Sequence, residues 1–188
     1  VADDAWAPLG RMEFSSGYPD ALMALRTVAA VPDATGRLLY VVVHDFFSLR
    51  TGASWLDSLF QTGWDTDVEI VSRQEADIVG PHTGNRCRVI VSANMPGLFK
   101  SEPVRIYPGL DHHRLRYHWY DSGINCLSIL VPYRKDEEPP RFERSDVDDT
   151  RGFAARLRFR DIDDIMLLNV VSRFSGYGCE SDAKFTLV

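Results

Sequence analysis

The sequence predicts an all-β chain built as an antiparallel, two-sheet β-sandwich. Three observations lead there. Side-chain character alternates mostly with a period of two, the spacing that puts every second residue on one face of a strand. The continuous apolar runs are β-branched and too short for helices. Clusters of Gly, Pro and Asp separate them at short intervals, giving about nine or ten short strands in all.

Taken in order, Leu38-Leu-Tyr-Val-Val-Val-His44 reads as a central strand. Cys87-Arg-Val-Ile-Val-Ser92 and Cys126-Leu-Ser-Ile-Leu-Val131 repeat that pattern between turn signals at His82–Asn85 and Asp121–Ile124. In Arg114–Tyr120, Leu115, Tyr117 and Trp119 share one face, while Arg114, Arg116, His118 and Tyr120 share the other. The stretch from Phe153 to Arg160 behaves alike, with Phe153, Ala155, Leu157 and Phe159 inward and Arg156, Arg158 and Arg160 outward. A slip of one residue would bury those arginines, so the register is strongly specified. A further strand is expected over Ile165–Val171, entered by a turn at Asp161–Asp164. Two stretches mix helix formers with β-branched or aromatic residues, Asp20–Ala30 and Ser54–Phe60; both are read as strands because their neighbours are strands.

Residues 1–21 read as an irregular lead-in and 132–150 as a long acidic, Pro-containing loop, within one sandwich domain spanning 1–188. The chain begins without Met or an apolar leader and closes on a strand-like Lys184–Val188, which suggests a piece of a longer protein.

Composition narrows the function. The chain has 188 residues, 45% hydrophobic and 26% charged, with 21 Lys+Arg against 27 Asp+Glu and a formal net charge of -6. These values are ordinary for a soluble globular domain and exclude a disordered tail or a collagen-like repeat. The longest apolar run, Leu38 to Val43, falls far short of the ~20 residues that span a bilayer. An acidic chain without a basic cluster gives no support for nucleic acid as a partner. The three cysteines, Cys87, Cys126 and Cys179, are widely spaced; no C-x-x-C pair and no nearby His offers zinc spacing. Cys87 and Cys126 fall in apolar strands and read as buried free thiols.

No phosphate-binding loop, dinucleotide fingerprint, H-E-x-x-H or nucleophile elbow is present, so neither cofactor nor metal is expected. The outward arginines are the most suggestive chemistry. Arg114, Arg116, Arg156, Arg158 and Arg160 would pair carboxylate or sulfate groups along an acidic polymer if their strands were neighbours. The competing reading is a solvated face balanced by Asp and Glu. Trp119, with Trp55, Trp64, Tyr117 and Tyr120, offers rings for sugar stacking or, more simply, core. His44 and Asp45 close a buried strand, where such a pair needs a partner.

The order of segments resembles a known family. Leu39-Tyr-Val-Val-Val-His-Asp-Phe-Phe47, Ser54-Trp-Leu-Asp-Ser-Leu-Phe-Gln-Thr62, Cys126-Leu-Ser-Ile-Leu-Val-Pro-Tyr133 and Glu180-Ser-Asp-Ala-Lys-Phe-Thr-Leu-Val188 resemble, in sequence order, strands of the C-terminal β-sandwich domain of heparinase II/III-like polysaccharide lyases. That resemblance implies β-elimination on uronic-acid polysaccharide, a catalytic Tyr housed in a separate helical toroid, and a periplasmic or secreted location. It also implies that this segment is a non-catalytic wall of the substrate cleft. The partners would be an acidic polysaccharide and the toroid of the parent chain, with no membrane. Asp45 matches a position where some members place an acidic metal ligand, but the companion histidines are missing: Gln61 stands near one, and residues 1–21 contain no His. The alternatives are a free-standing carbohydrate-binding or adhesion module and a structural interface domain.

Overall fold

The computed structural model describes residues 9–93, 95–107, 110–144, 152–169, 174–181 and 185–187. They form two compact units, 1–135 and 136–188. Both are built of antiparallel strands, and no helix is long and apolar enough to cross a membrane among the described residues.

In the first unit the strands are β1 (Leu9–Glu13), β2 (Ala21–Pro32), β3 (Leu38–Leu49), β4 (Ser54–Trp64), β5 (Asp67–Ile70), β6 (Glu75–Val79), β7 (Arg86–Ala93), β8 (Leu98–Tyr107), β9 (Leu110–Asp121) and β10 (Gly123–Tyr133). Seven of them form a sheet ordered β1-β2-β3-β10-β7-β6-β5, and the other three a sheet ordered β4-β9-β8. Val89, Val91, Ile124 and Cys126 of the larger sheet pack with Phe99, Leu115, Tyr117 and Trp119 of the smaller in one buried cluster. The two sheets therefore stack face to face as a β-sandwich.

The second unit holds β11 (Arg141–Arg144), β12 (Gly152–Phe159), β13 (Ile162–Asn169), β14 (Phe174–Gly176), β15 (Cys179–Ser181) and β16 (Phe185–Leu187). Its sheets run β11-β12-β13-β16 and β14-β15. Tyr177 (φ 51°) and Gly178 (φ 79°) both take left-handed backbone between β14 and β15, the requirement of a tight hairpin turn that matches strand twist.

The strands inferred from alternation are present over the described residues, Val170 and Val171 of the expected Ile165–Val171 strand lying outside them, and both ambiguous stretches are strands, β2 and β4. The count of sixteen among the described residues exceeds the nine or ten expected. The additional ones include β1, which pairs with β2 inside the 1–21 stretch expected to be irregular, and short, polar strands such as β5 and β11, whose sequences carry no long apolar run. Over 132–144 the expected loop is interrupted: β10 runs on to Tyr133, and β11 forms at Arg141–Arg144, while 145–150 lie outside the described residues. Pro132 is tolerated because β3 has stopped pairing with β10 at Leu130, so its missing N–H costs nothing on that side. The turn expected at Asp161–Asp164 is tighter, with only Arg160 and Asp161 between Phe159 and Ile162.

Local chemistry sets the register of the long β2–β3 hairpin. Asp33 Oδ1 accepts hydrogen bonds from the Thr35 amide and hydroxyl, both at 2.7 Å, and from the Arg37 amide at 3.0 Å. The Thr35 hydroxyl, then the Arg37 amide, hold the Asp33 carboxyl below its ordinary value.

Charges are also satisfied inside the larger sheet. Arg88 on β7 donates to both oxygens of Asp77 on β6 (2.7 and 3.0 Å) and to Glu75 (2.7 Å). The Tyr133 hydroxyl donates to Asp77 Oδ2 at 2.8 Å. Asp77, Arg88 and Tyr133 are all buried, so each carries a desolvation cost that only the whole network offsets. Replacing Asp77 by Ala would remove the buried bidentate partner of the Arg88 guanidinium and leave it Glu75 and the Tyr133 hydroxyl. We expect a loss of about 3–5 kcal/mol in urea denaturation, with Asp77→Asn losing less.

A second expected outcome concerns Gly97, ahead of β8. Its amide donates to the Tyr117 hydroxyl at 3.0 Å, and an added Cβ would lie 2.6 Å from that ring and 2.8 Å from the His118 carbonyl oxygen. Gly97→Ala should therefore destabilise the chain by about 1–3 kcal/mol, read as a lowered melting temperature.

Candidate functional site

A cavity of about 320 Å³ lies in the first unit, between β2–β3 of the larger sheet and β4–β9 of the smaller. That volume is at the lower end of the ~300–1,000 Å³ typical of small-molecule sites. Its walls are aromatic and apolar, with Tyr18, Phe47, Trp55 and Trp119 prominent, and a few polar groups converge on it: Arg26, Asp45, Asp57 and Ser58.

Each polar group is placed by strand register. Arg26 and Asp45 face each other across β2 and β3, equidistant within a residue from the Asp33–Arg37 turn. Arg26 Nε donates to Asp45 Oδ1 at 2.6 Å and Nη2 to Oδ2 at 2.8 Å, a bidentate pair. Ser58 Oγ, on the opposing sheet, donates to Oδ2 at 3.3 Å, so one carboxylate ties both sheets. The Asp45 hydrogen bond raises the Arg26 guanidinium above its ordinary value, against the opposing pull of desolvation. On β4, Asp57 meets His118 Nδ1 at 2.6 Å.

Trp119 is the remaining polar participant. Its side chain is inward and only 4% exposed, yet the indole Nε1 has no hydrogen-bond partner among the described residues. A buried indole N–H without an acceptor is costly, and such groups usually meet water or a ligand.

The arginines expected to bind polymer are arranged differently. Arg114 and Arg116 lie on β9 in the three-stranded sheet; Arg156 and Arg158 lie on β12 in the four-stranded sheet. The two strands belong to different sheets of different units and are not paired neighbours. Arg160 is not on a strand; it occupies the β12–β13 turn with φ 57°. All five meet carboxylates: Arg114 with Glu102 (3.6 Å), Arg116 with Glu102 (3.1 Å) and Asp57 (3.4 Å), Arg156 with Asp163, Arg158 with Glu143 (2.9 Å), and Arg160 with Glu137 (2.8 Å). Each of these guanidinium groups thus has a carboxylate partner within its own unit.

His44 and Asp45 point to opposite faces of β3. Asp45 lines the cavity, whereas His44 Nε2 meets the Asn125 side-chain oxygen at 2.6 Å. Both Asp45 oxygens are occupied by the Arg26 guanidinium, so this carboxylate does not fit a metal ion. No group of three or more His, Cys, Asp or Glu side chains suited to a metal occurs among the described residues. The three cysteines are free. Trp64's side chain lies outside what the structure describes.

Arg26 and Ser58 were not singled out in the sequence. The signal for Arg26 existed in the hairpin, because folding β2 onto β3 about Asp33–Arg37 brings it opposite Asp45. Ser58 reaches Asp45 only through the stacking of two sheets, which no local pattern encodes.

Comparison with solved structures places this geometry in context. Two heparinase III structures superpose with TM-scores of 0.61 and 0.64 at 14% and 12% identity, each over 89% of this chain and 27% or 26% of their own. A heparan sulfate lyase mutant from Pedobacter heparinus gives a TM-score of 0.64 at 14% identity, over 90% of this chain and 27% of that one. The fold is shared with these lyases. The chain spans about a quarter of the length of the structures it matches. No family model matches the sequence, and no curated protein does.

Burial lowers the His44 imidazole below its ordinary value, the Asn125 bond opposing only in part. A histidine depressed in the folded state contributes stability that is fully present above its unfolded value of ~6.5 and lost as pH falls toward the folded value. Thermal melts between pH 8 and 5 should therefore show a falling midpoint below about 6.5. His44→Gln should flatten that segment of the profile.

Proposed function

We propose that this chain is the β-sandwich portion of a polysaccharide lyase acting on uronic-acid-containing polysaccharide by β-elimination, secreted or periplasmic, and that it walls the substrate cleft instead of performing the chemistry. The observation that carries this reading is the fold likeness to heparinase III and heparan sulfate lyase over nine-tenths of the chain.

The chemistry of the cavity supports a supporting role. β-Elimination needs a base for the C5 proton and an acid for the leaving oxygen, both within hydrogen-bond reach of the sugar. Asp45 is committed to Arg26 and Asp57 to His118, while His44 faces away from the cavity. These groups are arranged to hold shape. What the cavity offers a sugar is aromatic surface, backed by the buried, unpartnered Trp119 N–H. A catalytic Tyr and the remaining substrate contacts belong, in this reading, to a helical toroid of the parent chain.

The test is binding and turnover by the 188-residue chain with heparan sulfate oligosaccharides. We expect measurable binding in calorimetry and no unsaturated uronate product. Trp119→Phe, which keeps a ring but removes the donor, should weaken binding by roughly 2–10-fold, the equivalent of ~0.5–1.5 kcal/mol for one neutral hydrogen bond. Product formed by this chain alone would overturn the wall assignment. Failure to bind any uronic-acid polysaccharide would overturn the substrate class.

A further inference from the structure

The outer face of the three-stranded sheet carries an aromatic corner that borders the cavity and shares Trp55 with its lining. Trp55 on β4 is cross-strand partner to Tyr120 on β9, and His118 lies diagonal to it. The Trp55 indole stacks on the His118 imidazole, with centroids 4.3 Å apart and planes 6° from parallel. Tyr120 meets Trp55 edge-on at 5.1 Å and 61°. Trp55 is 63% exposed and Tyr120 55%, so the indole face away from His118 is open to solvent, with the phenol ring as a wall beside it.

The corner is held in place from below. Asp57, two residues along β4 and on the same face, meets His118 Nδ1 at 2.6 Å and also accepts from Arg116 at 3.4 Å. A stacked, hydrogen-bonded imidazole fixes the indole plane before anything binds, which lowers the ordering cost of association.

We propose that this corner is a second glycan-binding site, taking one pyranose ring of a polysaccharide by stacking its C–H face on Trp55 with Tyr120 against its edge. The proposal rests on the polysaccharide reading above; the corner shares Trp55 and Asp57 with the cavity lining, whereas Tyr120 lies outside that lining. Charge and apolar patterning on the same face favour a sugar over a protein partner. Across the sheet, the register sets Asp57, His118 and Leu98 in one row and Leu59, Arg116 and Lys100 in the next. Among the described residues the exposed Leu59 and Leu98 are thus separated by charged groups, unlike the continuous apolar patches that dock proteins. The Arg116 terminal nitrogens are already taken by Asp57 and Glu102. Recognition therefore runs through the ring face, and sulfate or carboxylate groups on the sugar are not required.

Two consequences are measurable. Binding here should be nearly insensitive to salt, because exposed charge pairing is screened and stacking is not. It should also extend to unsulfated uronic-acid oligosaccharides. The experiment titrates the 188-residue chain with unsulfated and sulfated heparan-type oligosaccharides at low and high NaCl, following tryptophan fluorescence and heat. Trp55→Ala and Tyr120→Ala should each weaken binding of the unsulfated oligomer by about 3–10-fold, as loss of an aromatic contact does. Trp55→Phe should recover part of that loss. Circular-dichroism melts of the variants check that these exposed positions leave the fold intact.

Wild-type affinity in both Ala variants would overturn the proposal. So would binding that vanishes at high salt and disappears in Lys100→Ala. Failure here is distinguishable from failure of the cavity reading. If Trp119→Phe weakens binding while Tyr120→Ala does not, the cavity stands and the corner falls. If Tyr120→Ala weakens it while Trp119→Phe does not, the corner stands by itself.

Discussion

The alternation of side chains along β9 is the constraint on which the first unit's surfaces depend. Leu115, Tyr117 and Trp119 point into the space between the sheets and are almost fully buried. Arg114, Arg116, His118 and Tyr120 point the other way. The inner set supplies much of the apolar area that holds two sheets together, at roughly 25 cal/mol per Å² removed from water. Shifting β9 by one position would exchange the sets, placing guanidinium groups in the core and indole in solvent. Both sides of the strand are thus fixed by a single requirement, and the cavity wall and the outer aromatic corner come from consecutive residues, Trp119 and Tyr120.

The link between sheets is reinforced where apolar packing thins. At the cavity, Asp45 takes two hydrogen bonds from Arg26 on its own sheet and one from Ser58 on the other. The Arg26 side chain is 38% exposed, so solvent screens the pair and its net contribution is modest. Its structural value is directional: it fixes the spacing of β2, β3 and β4 around an open volume. The Asp77–Arg88–Tyr133 network performs the corresponding task in the larger sheet, where both charges are buried and the penalty for removing one partner is greater.

Much of this was legible in the sequence because it is local. The period-two pattern of Arg114–Tyr120 gave its inward and outward faces correctly, and the apolar runs at Leu38, Cys87 and Cys126 are central strands. What the pattern could not carry was partnership. Nothing near Arg114 or Arg156 says that they belong to different sheets, and the expected arginine ladder depended on their being neighbours. Short polar strands such as β5 and β11 escaped for a related reason: their pairing comes from strands beside them, not from their own composition. The candidate site was partly readable. Asp45 and Trp119 stood out as residue types in unusual settings, while Arg26 emerges only once a hairpin is folded and Ser58 only once two sheets are stacked.

The sulfur atoms of the first unit show what such packing does to reactivity. Burial pushes the Cys126 thiol up to about 12 and the Cys87 thiol up to about 11, with the Asp45 and Asp77 carboxylates adding to the effect. Near neutral pH both sit as protonated, hydrocarbon-like groups, and nucleophilic attack or oxidation needs the anion. The sandwich therefore chemically silences two of its own cysteines, which can persist unbridged amid peroxides or disulfide-exchanging reagents as easily as among reductants.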